Sequence, residues 1–254
     1  MAKIIDINEE SIDEMELFCK KTKKKLAGYQ NKVKWIKERF KEGLKYKLFI
    51  VKEGNKETSR GMIEYIPGEY NWRGIHADGW MVIHCLWVVG KHKEKGYGSQ
   101  LIELALKDAK EAGLYGVVGM TAEKGGWLPK KSLYEKLGFE MIDESEPHFR
   151  LYAKAFSDNA PKPKFFPISK EKLKKYDSGV TIFYSDQCPY VVDLVDEVKD
   201  MPKGDKIEVI KLENCKQAQE NGIYPYRSYC VICNGETVLY QHTLKKQIQS
   251  ALNK

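Results

Sequence analysis

The sequence predicts an α/β protein: a larger mixed-sheet domain followed by a small second α/β domain. Two observations carry this expectation. Short apolar runs of strand character alternate with segments whose apolar residues recur at helical spacing, an order that implies a mixed sheet covered on both faces. Between residues 157 and 167 stand Pro161, Pro163 and Pro167, three of the nine prolines in the chain, a density no regular element tolerates. The basic segment Lys170 to Lys175 follows before a new apolar strand begins at Val180. The expected division is therefore a first domain over 1–156, a Pro/Lys-rich linker over 157–178 and a second domain over 179–254, both pieces of viable size.

Taken in order, the first piece reads as a strand over 3–7 and helices across 9–43, where Leu26, Val33, Ile36, Phe40 and Leu44 keep helical spacing. A strand over 46–52 turns at Gly54-Asn55 into a strand over 61–66. A loop over 67–79, rich in glycine and aromatic residues, precedes the long apolar strand 80–89. A glycine loop opens a helix over 99–112, and a strand over 116–122 follows. A short helix over 130–137 and closing strands near 139–143 and 149–155 complete the piece. The second piece reads strand 180–184, helix 190–199, strand 207–212, helix 215–221, a hairpin at Asn234-Gly235 and a last helix over 244–252. Asn-Gly is the signal of a type I′ hairpin turn. The resulting order βαβαββα is that of a thioredoxin-like domain.

Composition narrows the function classes. With 42% hydrophobic and 31% charged residues the chain has an ordinary globular balance, and no apolar run approaches the ~20 residues of a membrane span. No apolar leader stretch is visible near Lys3-Ile4-Ile5. Six cysteines without a secretion signal argue for reduced thiols and a cytoplasmic location. The net charge of +7 is concentrated between Lys20 and Lys47, where twelve Lys or Arg face two Glu. A nucleic-acid surface would use such charge, but the helical spacing of the intervening apolar residues favours solvated helix faces. No recognisable nucleic-acid motif accompanies them.

The chemistry centres on one unit. Lys93-Glu94-Lys95-Gly96-Tyr97-Gly98 leaves an apolar strand and opens a helix with Leu101, Leu104, Ala105 and Ala109 on one face. The first turn of a helix has N–H groups without an internal partner and carries partial positive charge. Glycines let the backbone approach an anion and take φ > 0, so the unit can cradle a pyrophosphate. Lys91, Lys93 and Lys95 add positive charge. Alone, such a loop is also compatible with an ordinary tight turn. Its spacing fits neither a dinucleotide fold nor a P-loop.

Together with Leu86-Trp87-Val88 before it and Leu133-Tyr134-Glu135-Lys136-Leu137-Gly138-Phe139 after it, the unit resembles the GNAT family of N-acetyltransferases. The first stretch is similar to that family's motif A, with Lys93 where Arg or Gln is usual, and the second to its motif B. The segments Gly61 to Gly74 and Trp80 to Trp87 resemble a YoaP-like subfamily, which joins a GNAT domain to a small C-terminal domain. The resemblance spans roughly residues 3–155 and implies acetyl-CoA as co-substrate and an amine as acceptor. It implies that the end of the 80–89 strand (Leu86, Trp87, Val88, Val89) offers backbone groups to the pantetheine arm. Lys93, Glu94, Lys95, Gly96, Tyr97, Gly98 and Ser99 would then hold the pyrophosphate. Tyr134 matches the tyrosine that protonates the departing sulfur.

For the base, His84 and Glu64 lie on the strands that should flank the acceptor groove, with Glu123 after the next strand, although a histidine among apolar neighbours is also an ordinary core residue. Tyr70, Trp72 and Arg73 are expected to line the acceptor site, or else to pack the loop. In the second piece Cys188-Pro189-Tyr190 opens a helix, where a helix N-terminus lowers a thiol pKa. It is similar to the C-P-Y-C of glutaredoxins with Val191 in place of the second cysteine, which removes a dithiol cycle. Cys188 is thus a redox candidate, and an acyl-CoA-sensing or thiol-binding module is the alternative to the enzyme. No metal site, membrane or nucleic-acid partner is expected; a homodimer is compatible with the sequence.

Overall fold

The computed structural model describes residues 2–124, 127–201, 204–239 and 245–252. In chain order the elements are β1 (Ala2–Ile7), α1 (Ala27–Phe40), β2 (Lys45–Glu53), β3 (Lys56–Pro67), β4 (Ile75–His76), β5 (Met81–Val88), α2 (Tyr97–Glu111), β6 (Gly116–Ala122), α3 (Lys131–Lys136), β7 (Glu140–Ser145), β8 (Phe149–Ala155) and β9 (Lys164–Phe165). There follow α4 (Lys170–Leu173), β10 (Val180–Tyr184), α5 (Pro189–Lys199), β11 (Ile207–Lys211), α6 (Cys215–Asn221), β12 (Tyr229–Cys233), β13 (Glu236–Leu239) and α7 (Lys245–Leu252). The expected last helix is therefore present from Lys245; residue 244 lies outside the described residues.

One expected element differs. Helices were expected across 9–43, but residues 9–26 form turns and only Ala27–Phe40 is helical. Ser11 N–H donates to Asn8 Oδ1 at 2.9 Å and Asn8 N–H to Ser11 Oγ at 3.0 Å, in the manner of a capping box, but the turn it starts does not continue as a helix. Five lysines between Lys20 and Lys25 would repel one another along a helix.

Two compact units are formed, and neither is one uninterrupted stretch. The first comprises Met1–Lys21, Ile36–Asn71 and Ile75–Phe165; the second comprises Thr22–Trp35, Trp72–Gly74 and Phe166–Lys254. The first unit contains a seven-stranded sheet in the order β1-β2-β3-β5-β6-β8-β7. All neighbours are antiparallel except β5 and β6. Helix α2 buries Leu101, Ile102, Ala105 and Ala109 against Phe49, Ile63, Met81, Ile83 and Val117 of four strands. This stripe at helical spacing is what binds the helix to the sheet.

Beside that core lies a buried polar group. Lys47, only 5% exposed, donates to Asp6 and meets Asp108 Oδ2 at 3.1 Å, while the Tyr65 hydroxyl donates to the same Asp108 oxygen at 2.6 Å. Burial lowers the Lys47 pKa, but the Asp6 and Asp108 carboxylates outweigh it and the net shift is upward. Burial, then Asp108, raises that of Tyr65. Asp108→Ala removes the shared acceptor and should cost about 2–3 kcal/mol. Urea unfolding with an unchanged slope checks this.

The second unit carries a four-stranded sheet in the order β11-β10-β12-β13. Strand β10 is parallel to β11 and antiparallel to β12, and β12 is antiparallel to β13. Cys230 and Cys233 of β12 are both buried, and burial pushes the Cys230 thiol up to about 12. None of the six cysteines is in a disulfide. Among the described residues no helix is long and apolar enough to cross a membrane.

Candidate active site

The site begins where β5 and β6 part. Their parallel pairing covers only Met81↔Val117, Val82↔Val118 and Ile83↔Gly119. On its other edge β5 stays paired with β3 up to Gly61↔Val88, and Val89 N–H still donates to Arg60 O at 2.9 Å. Past Ile83, then, β5 is a strand paired on one side, and the backbone of Cys85 to Val88 faces an open fork. The cause is local. The β3–β5 register jumps from Glu64↔Cys85 to Tyr65↔Ile83, so His84 is an extra residue, a β-bulge that bends the strand and raises its twist. After the bulge, Leu86 and Val88 still face the α2 side, while Trp87 points to the other face with its ring 5.5 Å from that of Trp127. Trp127 escaped the sequence reading because it follows β6 in a loop without periodicity.

Tyr134 is at the crotch of this fork. It is fully buried, and a Cβ built on Gly119 would lie 2.1 Å from its hydroxyl oxygen. Gly119 is the last β6 residue paired with β5, so only a residue without a side chain lets the phenol reach that point. The ring stacks on Tyr152 at 5.8 Å and 12° and tilts against Phe139 at 5.1 Å. The motif points to Tyr134; Gly119, which makes room for it, carries no signal in the sequence.

His84 and Glu64 are brought together. Both side chains are fully buried, with His84 Nδ1 3.6 Å from Glu64 Oε1, a titratable pair one residue beyond the last β5–β6 pair. Glu123 is elsewhere in character: its side chain is 54% exposed and ion-paired with Arg150.

The glycine loop has the geometry an anion needs. Gly90–His92 is a short 3₁₀ turn, and Glu94 and Gly96 take φ of 61° and 83°. Gly96 caps α2, with nothing within 4 Å of where its Cβ would stand. The first bond into the helix is Gln100 N–H to Gly96 O at 3.0 Å, which leaves the N–H groups of Tyr97, Gly98 and Ser99 pointing out of the first turn. Gly98 serves packing instead: a Cβ there would meet Leu133 at 3.3 Å and Leu86 at 3.8 Å. The side chains of Lys93, Glu94 and Lys95 are exposed. An open strand edge thus leads to a helix N-terminus whose N–H groups can bind an anion such as a pyrophosphate.

His92 is a residue the sequence did not single out. It is 8% exposed, with its ring 5.9 Å from Phe49 and 6.1 Å from Tyr97, and these two rings are 4.0 Å apart. Its Nε2 lies 3.6 Å from Glu53 Oε1. The Arg60 guanidinium first, and His92 and Lys91 after it, hold Glu53 below the usual carboxylate range. The loop is thus anchored to β2 through rings and charge. His92→Ala should raise the KM for acetyl-CoA about three- to tenfold with kcat nearly unchanged, and His92→Phe should restore most of it. Steady-state kinetics with varied acetyl-CoA provide the check.

The remaining predicted residues are placed differently. Tyr70 is 44% exposed, but Trp72 and Arg73 are 0 and 1% exposed, and Arg73 Nη1 is bonded to Tyr226 O and Ser228 Oγ within the second unit. Cys188 is half-buried at the N-cap of α5. Among the described residues no cluster of three or more His, Cys, Asp or Glu could hold a metal.

The chain is 29% identical over 257 residues to an uncharacterized N-acetyltransferase, YoaP, of Bacillus subtilis (strain 168), covering 98% of each. Among solved structures it is similar to a GNAT-family acetyltransferase from Staphylococcus aureus Mu50, with 17% identity, TM-score 0.45, and 62% and 100% of the two chains covered. A GNAT-family acetyltransferase from Brucella melitensis in complex with acetyl-CoA matches with 16% identity, TM-score 0.39, and coverage of 64% and 92%. The model of the acetyltransferase (GNAT) family matches residues 10–139, just over half the chain. The chain belongs to the GNAT family of acetyltransferases, enzymes that take their acetyl group from acetyl-CoA.

Proposed function

We propose that the protein acetylates the amine of a small-molecule acceptor in the cytoplasm, with Tyr134 as general acid and the His84–Glu64 pair on the side of the base. The observation that carries this is the Tyr134 hydroxyl at the last paired position of the β5–β6 fork. In this reading the backbone of Leu86, Trp87, Val88 and Val89 binds the pantetheine, and the turn Lys93 to Ser99 binds the pyrophosphate. The acceptor nitrogen forms its bond to the thioester carbon, its proton leaves toward His84 directly or through water, and the C–S bond breaks as Tyr134 gives its proton to sulfur. A phenolic hydroxyl at that point can donate its proton to the departing sulfur as a general acid.

Tyr70, exposed in the loop between β3 and β5, is the residue of its trio left to meet an acceptor. The side chains of Trp72 and Arg73 are committed to packing. The strand order and directions of the second unit support a thioredoxin-like fold for residues 179–254. That all six cysteines are thiols accords with a reducing compartment.

Two measurements test the reading. Millimolar acetyl-CoA should raise the Tm, and no rise would remove the co-substrate. A screen of amines, amino acids, polyamines and aminoglycosides with release of CoA thiol as the readout should then find an acceptor; acetyl-CoA binding without turnover on any amine would favour an acyl-CoA sensor.

A further inference from the structure

Two segments from early in the chain are built into the second unit through contacts that leave no slack. Gly28 N–H donates to Asp193 Oδ1 at 2.7 Å, and a Cβ on Gly28 would lie 2.1 Å from Pro189 O and 2.6 Å from that carboxylate oxygen. Pro189 and Asp193 belong to the first turns of α5, the helix that Cys188 caps. Asn31 Nδ2 donates to Asp186 Oδ1 at 3.3 Å just before that helix.

Gly74 repeats the pattern at the segment before β12. Its N–H donates to Pro225 O at 2.8 Å and its O accepts from Phe166 N–H at 2.9 Å. A Cβ there would be 2.5 Å from Arg227 Nε and 3.1 Å from Pro225 Cα. Next to it, Arg73 donates Nη1 to Tyr226 O at 2.8 Å and Ser228 Oγ at 2.7 Å, with its guanidinium 4.0 Å over the Tyr226 ring. Trp72, fully buried, meets Trp35 edge-on at 5.4 Å.

Burying a guanidinium is costly unless its donors are satisfied. Backbone approach through a glycine requires a partner of fixed shape. Both are marks of a permanent interface.

We propose that the surface made by the start of α5 and the segment Tyr224 to Ser228 is a binding face whose partner is this chain's own residues 22–35 and 72–74. The second unit then works as an intramolecular clamp that holds Trp72–Gly74, its own part of the connection between β3 and β5. The face beside Cys188 is taken in cis, so the unit is not a thiol module open to other proteins. This holds whatever the acceptor is, and it gives the second unit a role in an acetyltransferase that needs no redox chemistry.

Hydrogen exchange on the full-length protein tests the clamp from its far side. Ser228→Ala removes a partner of Arg73, and Asp193→Ala removes the acceptor of Gly28 N–H. Ser228→Ala should speed exchange in residues 72–74, and Asp193→Ala in residues 27–31, by about ten- to hundredfold, with the amides of β10 and β12 unchanged. Lys216→Ala, on an exposed helical pair, should change neither. Unchanged exchange at both segments would overturn the proposal, and so would acceleration by the same factor throughout β10 and β12. Native trypsin digestion of the unaltered protein adds a test that needs no variant: Arg73 should resist cleavage, and rapid cutting after Arg73 counts against the clamp. Absence of an acetyl-CoA effect on Tm in the same preparation would count against acetyl transfer and leave the clamp result standing.

Discussion

Tyr134→Phe is expected to lower kcat by about 10²–10⁴-fold while acetyl-CoA still raises the Tm. The size is that of a lost general acid. The selectivity follows from how the ring is held: Phe139 and Tyr152 pack its faces, so removing one oxygen leaves the ring and the fork in place. The effect should therefore fall on kcat and kcat/KM alike, as for a group used only in the transition state. CoA thiol release under saturating acetyl-CoA measures it. An unchanged kcat would show that sulfur leaves without help from Tyr134.

Gly119→Ala should be nearly as damaging from the opposite side of the same contact. The new Cβ would stand 2.1 Å from the Tyr134 oxygen, 2.5 Å from Cζ and 2.9 Å from Cε1. A ring fixed between two other rings cannot swing aside cheaply, so the variant should lose about 1–3 kcal/mol of stability by overpacking and most of its kcat by displacement of the hydroxyl. The pair is in contact, so the effects should not add. Gly119→Ala placed on Tyr134→Phe should recover part of the lost stability, because the nearest clashing atom is gone, and should lower kcat little further. Independent, additive losses in kcat would mean that Gly119 acts on the fork itself.

What the sequence made legible was local. Residues 80–112 were readable as strand, loop and helix because the apolar run, the two glycines and the stripe Leu101, Ala105, Ala109 each announce their element. Tyr134 was readable through the residues around it. The fork was not, because it is produced by one surplus residue in a pairing between strands, and in a run as evenly apolar as Met81–Val88 no alternation marks the slip. For Trp72 and Arg73 the sequence left two outcomes open, lining an acceptor site or packing the loop. Their burial depends on residues 226 and 228, about 150 positions away. Residues 9–26 form turns where helix was expected, and the lysines of 20–25 would repel one another along a helix.

The hydrogen bond from Gly28 to Asp193 spans 165 residues, and this has a bearing on the order in which the chain can fold. During synthesis at about 5–20 residues per second, residues 22–35 emerge long before α5 exists to receive them, and Trp72–Gly74 likewise wait for Tyr226 and Ser228. The second unit is thus completed late, by contacts of high sequence separation, which slow folding. Until then Trp35, Trp72 and the Arg73 charge remain uncovered in the nascent chain. A chaperone that recognises exposed aromatic segments would find its window there, and refolding in vitro should show its slowest phase in the fluorescence of those two tryptophans.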